Sequence, residues 1–171
     1  MALRFTSQGC RSTKANVKAV VQRVNNAAVT VNGEVKGSID KGLLVYLGVA
    51  HDDSQSDADW LAEKISNLRI FNDQDGKMNW SINQIEPGVN DKKIGMLAIS
   101  QFTLLGDARK GRRPSWEKAA PPEKANELYQ YFILQIKERG MLCESGEFQA
   151  HMMVAYTNDG PVTILLDTKE K

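Results

Sequence analysis

From Leu43 to Val49 the chain reads Leu-Leu-Val-Tyr-Leu-Gly-Val, an almost unbroken apolar run. A strand that is apolar at both odd and even positions has no face for water, so it belongs at the centre of a sheet, covered on both sides. The rest of the chain supplies its neighbours. Residues 17–24 read as a buried strand. Residues 28–31 and 34–39 flank Asn32-Gly33, which favours the positive φ angles of a type I′ hairpin. Residues 96–103 form a further strand, and 148–157 and 162–166 the last two. Ser54 or Ser56 caps a helix, with Asp57 and Asp59 in its first turn, and Trp60, Leu61, Ile65 and Leu68 recur at helical spacing to about residue 69. Pro121-Pro122 opens a second helix, with a core stripe of Leu128, Tyr131, Phe132, Gln135 and Ile136, ended near Arg139 by Gly140. Strands and helices in this order give a mixed α/β domain rather than a regular βαβ alternation.

A length of 171 residues with 42% hydrophobic and 25% charged residues suits one domain with a proper core. The expected division is a 1–16 extension before a single domain over 17–171. Lys+Arg number 22 against 21 Asp+Glu, a net charge of +1, so a nucleic-acid partner needs a local basic patch. Arg109, Lys110, Arg112 and Arg113 in the long loop 106–122 are the best candidates, although a charge run is also what a solvated loop carries. Trp116 in that loop either stacks on a base or packs against the helix. Cys10 and Cys143, far apart and without a CxxC, suggest a reducing compartment. No apolar stretch approaches the ~18–20 residues that span a bilayer. The first acidic residue is Glu34, and residues 1–16 carry Arg4, Arg11 and Lys14. Either an organellar presequence or a disordered tail fits; the segment is short and weakly amphipathic, which favours the tail. The cytoplasm is the expected location, with organellar targeting left open.

The chemistry concentrates in two segments. In Thr157-Asn158-Asp159-Gly160-Pro161-Val162-Thr163 a Gly-Pro step separates two apolar runs. Proline cannot donate to a ladder, and glycine lets backbone approach a ligand closely. The Gly160 carbonyl is placed to accept from an amino group; a plain turn is the other reading. In Ser100-Gln101-Phe102-Thr103 polar groups follow a β-prone run. Ser100 and Thr103 are the natural nucleophile candidates, yet neither has a base nearby in sequence. Backbone N–H groups there suit an oxyanion hole, and the hydroxyls otherwise position backbone or substrate. With only His51 and His151, far apart, no metal site is expected. Residues 72–76 are oxygen-rich, but no Glu stands where a calcium loop requires it.

Taken in order, the two segments resemble the signature motifs of the D-aminoacyl-tRNA deacylase family, also called D-tyrosyl-tRNA deacylase. The likeness continues through Val20-Val21-Gln22-Arg23-Val24, residues 42–48, Arg69-Ile70-Phe71 with Gly76-Lys77-Met78-Asn79, Arg113-Pro114-Ser115, Tyr129-Gln130-Tyr131-Phe132 and Phe148-Gln149-Ala150-His151-Met152. It covers roughly residues 17–167. The resemblance implies a barrel-like pair of β-sheets with helices packed outside, assembled as a homodimer. It implies an ester hydrolase that removes D-amino acids, and glycine, from tRNA with no cofactor, no DNA and no membrane. The substrate's own ribose 2′-OH assists the attack. Ser100, Gln101, Phe102 and Thr103 are then the catalytic segment. Gly160-Pro161 is expected to be cis, held by Arg23, and to enter the neighbouring subunit's pocket, where rigid backbone excludes L side chains. Thr163 completes that segment. Phe148 and Met152 line the pocket or, as generic residues, belong to the core. Ser-Gln-Phe-Thr argues against a related branch that edits L-alanine and carries a Pro-Gln-Ala version of the segment. A non-catalytic RNA or protein binding module on the same scaffold is the competing class.

Overall fold

In the computed structural model, which describes residues 17–88, 91–109 and 111–170, Asn32 and Gly33 have φ of 50° and 83°. This is the positive pair a type I′ turn requires. It folds β1 (Lys18–Val31) onto β2 (Glu34–Ile39). Then follow β3 (Gly42–Gly48), α1 (Gln55–Ser66), a small β4 (Phe71–Asn72) and β5 (Met78–Trp80) pair, β6 (Gly95–Ser100), α2 (Pro122–Glu138), β7 (Leu142–Ser145) and β8 (Met153–Asp167). The expected 1–16 extension lies outside the described residues.

β1 organises the sheet. Its first half pairs antiparallel with β3, its second half with β2, and β8 runs antiparallel along its other edge. β3 then pairs parallel with β6, and β6 with β7. The sheet curls until its far strands nearly meet. At Gly37 of β2, a Cβ would sit 2.7 Å from the Ser145 carbonyl of β7. The result is the expected mixed α/β fold, a nearly closed barrel-like sheet with helices outside.

Alternation along the strands divides two cores. Val21, Leu43, Val45, Leu47, Met96 and Ala98 face the helices, where Leu61 and Ile65 of α1 and Phe132 and Ile136 of α2 bury against them. Val24, Val29, Leu44, Leu97 and Ile99 fill the barrel interior. This accounts for the apolar run at 43–49: each of its faces meets a different core.

Several sequence expectations are corrected. Residues 17–24 and 28–31 are one strand, because Asn26 stays in the ladder opposite Thr157 and its amide donates to the Thr157 hydroxyl at 3.1 Å. The strand expected over 96–103 ends at Ser100, where a 3₁₀ turn (Phe102–Leu105) begins. α1 stops at Ser66, as the Asn67 amide caps the Glu63 carbonyl at 2.9 Å. On α2 the buried positions are Tyr129 and Ile133 rather than Tyr131 and Gln135. Tyr131 instead donates to Asp59 of α1 at 3.0 Å. Residues 148–152 precede β8, with Gln149 at φ 64°. The segments around Gly160-Pro161 belong to one strand, β8, interrupted by a bulge. The Asn72–Gly76 turn uses its own carboxylate, since Asp73 Oδ1 accepts from the N–H groups of Asp75 and Lys77 at 3.0 Å each.

Val17 is tied to the far end of the described chain, its N–H donating to the Thr168 hydroxyl at 2.9 Å. A chain starting at Val17 is expected to keep the melting temperature and activity of the full chain, checked by circular dichroism and ester hydrolysis side by side.

Candidate active site

β6 leaves the sheet at Ser100, and the chain turns at once into the 3₁₀ segment. That departure opens a cleft of about 550 Å³. Ser100, Gln101 and Phe102 form one wall, and Phe148, Gln149 and Met152 the opposite one. The loop before α2 closes a third side with small residues, Ala119 and Ala120. Gln101 anchors the turn. Its N–H donates to the Leu47 carbonyl at 2.8 Å, and its side-chain amide donates to the Thr103 hydroxyl. Thr103 is exposed, beside the cleft rather than lining it, and among the described residues no imidazole or carboxylate is hydrogen-bonded to its hydroxyl. The first N–H groups of a helical turn have no partner within the turn. Here they belong to Phe102 and Thr103.

Phe102 is 55% exposed, and Trp116 meets it edge-on with ring centroids 5.3 Å apart. Trp116 also covers Gly106, where a Cβ would lie 2.6 Å from the indole. The tryptophan packs on the site turn.

Gly160, Pro161, Arg23 and Thr163 do not line this cleft. Gln22 pairs with Thr163 and Val24 with Asn158, so residues 159–162 bulge out opposite Arg23. The Gly160-Pro161 peptide is cis. Arg23 is buried. Its Nε lies 2.8 Å from Asp159 Oδ2, and its Nη1 donates to the Ile70 carbonyl at 2.6 Å and to Asn72 Oδ1 at 3.4 Å. The Asn158 amide donates to the carbonyls of Arg23 (2.9 Å) and Val162 (3.1 Å), which pins the bulge from inside. Gly160 has φ +114°, and a Cβ there would come within 2.8 Å of Val162 Cγ2 and 2.9 Å of Arg23 Nη2. Only glycine fits that conformation without strain. Thr163 accepts from the Gln22 amide at 3.2 Å.

The basic run divides. Arg109 is locked onto Asp107 through Nε at 2.9 Å to Oδ1 and through Nη2, and these bonds hold the Asp107 carboxyl well below the usual carboxylate range. Arg112 and Arg113 are exposed, and Lys110 lies outside the described residues.

Sequence reasoning missed Asn158 and Asp159 as anchors, though both stand inside the segment it singled out. It also missed Gln149 and His151 as lining residues. The positive φ of Gln149 has no signal in its residue type, and His151 shares the cleft with Ser100 only through the tertiary fold.

The family described as D-Tyr-tRNA(Tyr) deacylase matches residues 20–167. A protein of Koribacter versatilis (strain Ellin345), named D-aminoacyl-tRNA deacylase, is 55% identical over 155 residues, covering 91% of this chain and 99% of that protein. A solved structure described as the c-Myc DNA Unwinding Element Binding Protein is 41% identical with a TM-score of 0.75, covering 87% of this chain and 97% of that one. A probable eukaryotic D-amino acid tRNA deacylase shares the fold at a TM-score of 0.75 and 14% identity, over 89% of this chain and 99% of that one. With the match spanning nearly the whole domain and both signature segments, the chain belongs to the D-aminoacyl-tRNA deacylase family.

Proposed function

We propose that this chain hydrolyses the ester joining a D-amino acid, or glycine, to the terminal ribose of tRNA, and spares L-aminoacyl esters. The observation that carries this reading is the cleft at the end of β6, which offers backbone donors and no activated side-chain nucleophile among the described residues. The Phe102 and Thr103 N–H groups donate to the developing oxyanion as water attacks the ester carbonyl. The 2′-OH of the substrate assists that attack, so the protein's work is positioning. The free tRNA 3′-OH and the amino acid leave.

Chiral selection needs a rigid wall near the α-carbon, and the pinned Gly160-Pro161 bulge has that rigidity but lies away from its own cleft. A homodimer in which each bulge enters the other protomer's cleft reconciles the two. The exposed face supports it. Leu165 of β8, 77% exposed, stands in a row with Val20 and Tyr46 on the side of the sheet away from the helices. Gln22 Oε1, in the next row, is buried without a hydrogen-bond partner among the described residues. Among the described residues β8 pairs only with β1, and a long open strand edge is otherwise a liability. Sedimentation velocity should therefore show a dimer, and Leu165→Lys should shift it to monomer with loss of activity.

Among the described residues no helix is long and apolar enough to cross a membrane. The bacterial relatives fit a cytoplasmic site of action.

Matched D-, L- and glycyl-tRNA, followed for ester loss, test the activity. Loss of D and glycyl esters with retention of L is expected. Equal rates for D and L would overturn the wall, and retention of all three would leave a binding module.

Arg112 and Arg113 are proposed to contact tRNA phosphates. The double alanine variant should raise KM and flatten the log–log salt dependence by about 1.5. Arg109→Ala should move it less, because Asp107 already neutralises that guanidinium. Equal salt slopes for wild type and the double variant would remove this role.

A further inference from the structure

The cleft walls share one buried anchor. Tyr129 of α2 is 1% exposed, and its hydroxyl donates to the Ala98 carbonyl at 2.8 Å. Ala98 is the last residue of β6 paired with β7, opposite Ser145. Beyond it the ladder ends, and the Gly146 N–H reaches back to the same carbonyl at 3.3 Å. The Ser145 side chain and the backbone of Gly146 and Ser100 favour the charged form of the phenol against its burial, which places them near the Tyr129 oxygen. A phenol has one proton to give and lone pairs to receive, so besides donating to Ala98 it can accept from one or two of these neighbours. The Tyr129 ring also lies 6.2 Å from that of Phe148, on the opposite cleft wall. Gly146 leads into that wall, and a Cβ on it would meet Met152 Sδ at 2.4 Å.

We infer that Tyr129 is a positioning residue for ester hydrolysis: its hydroxyl stands in for the missing β6–β7 ladder and fixes the Ser100–Phe102 turn against the Phe148–Met152 wall. This rests on the deacylase reading. It goes beyond that reading in assigning the spacing of the two walls to one side chain that touches no substrate. Catalysis by backbone donors makes that spacing decisive, since a donor displaced by about 1 Å loses its effect on the transition state. Burial pushes the phenol up to about 12, so the proton it donates stays in place across the working pH range.

Tyr129→Phe removes the oxygen and keeps the ring. The expected result is a fall in kcat of about 10-fold or more with KM within about 2-fold, the signature of an interaction that matters in the transition state. Ile133→Val, buried one helical turn along α2 from Tyr129 and carrying no hydrogen-bonding group on its side chain, serves as the control for lost packing and should leave kcat unchanged. Amide exchange supplies a readout independent of turnover: the Ser100 and Gly146 N–H groups should exchange at least 10-fold faster in Tyr129→Phe and at the wild-type rate in Ile133→Val. If Tyr129→Phe does not fold, Ser145→Ala replaces it, with the same two N–H groups expected to exchange faster and kcat to fall by a smaller factor. Unchanged exchange at both amides, or a kcat loss matched by Ile133→Val, overturns the proposal. If wild type itself leaves D-aminoacyl-tRNA intact, the deacylase reading fails, and amide exchange alone still decides whether Tyr129 orders the turn.

Discussion

Alanine at position 160 should lower D-aminoacyl-tRNA hydrolysis by about 100-fold, the scale of a misplacement near 1 Å at a reacting centre. The added Cβ has nowhere to go: Val162 lies 2.8 Å and Arg23 Nη2 2.9 Å from it, and φ +114° is a conformation L residues rarely adopt. The bulge must shift, and with it the wall proposed to read chirality. Stability should suffer less, by about 1–3 kcal/mol for one strained residue, or about 2–4 °C of melting temperature per kcal/mol in a chain of this size. Mixed dimers separate the sites. One Gly160→Ala protomer combined with one Ser100→Tyr protomer, whose own cleft is blocked, leaves either the pairing of intact cleft with intact bulge or none. In the proposed dimer the open cleft of the alanine protomer faces an intact bulge from its partner, so about half of wild-type activity should survive. Loss of all activity in that mixture would mean that each bulge serves its own cleft.

Replacing the terminal ribose 2′-OH of the substrate with hydrogen should slow hydrolysis by about 10²–10⁴-fold, the usual worth of a positioned proton-transfer group. Thr103→Val should keep activity within about 10-fold of wild type. The contrast follows from where the hydroxyls stand. The Thr103 side chain stands beside the cleft, its oxygen takes the Gln101 amide, and among the described residues no base holds its proton. An unactivated hydroxyl is a poor nucleophile. Total loss of activity in Thr103→Val, with circular dichroism unchanged, would restore an enzyme nucleophile. Equal rates on the ribose and deoxyribose substrates would remove the 2′-OH from the mechanism.

Local patterns in the sequence exposed the parts of this fold that local chemistry decides. Asn32-Gly33 named its own turn type, and the doubly apolar run at 43–49 named its own burial. Pro122 and Gly140 bracketed α2. What lay hidden depends on partners far along the chain. Asn26 looks like a strand breaker until Thr157 is known to sit opposite it. Tyr129 and Tyr131 are equally good candidates for a helical stripe, and only the pull of the Ala98 carbonyl on one and Asp59 on the other tells them apart. At the site, Ser100, Gln101, Phe102, Phe148 and Met152 are brought to one cleft. Gly160-Pro161 and Arg23 form a second locus whose distance from the first no sequence pattern encodes. Arg109 resembled its basic neighbours in sequence, yet its charge is answered by Asp107 two residues away.

The pairing of β1 with β8 joins the two ends of the domain. Val17 and Thr168, 151 residues apart, exchange hydrogen bonds at its margin. On a ribosome adding about 5–20 residues per second, β1 therefore emerges roughly 8–30 s before the strand that covers its second edge. Throughout that interval the nascent domain carries the open edge of a 14-residue strand. The sheet is therefore complete only once β8 is available to pair with β1. A stalled or truncated product lacking residues 153–167 loses the largest single pairing in the molecule and exposes β1 to association with other chains.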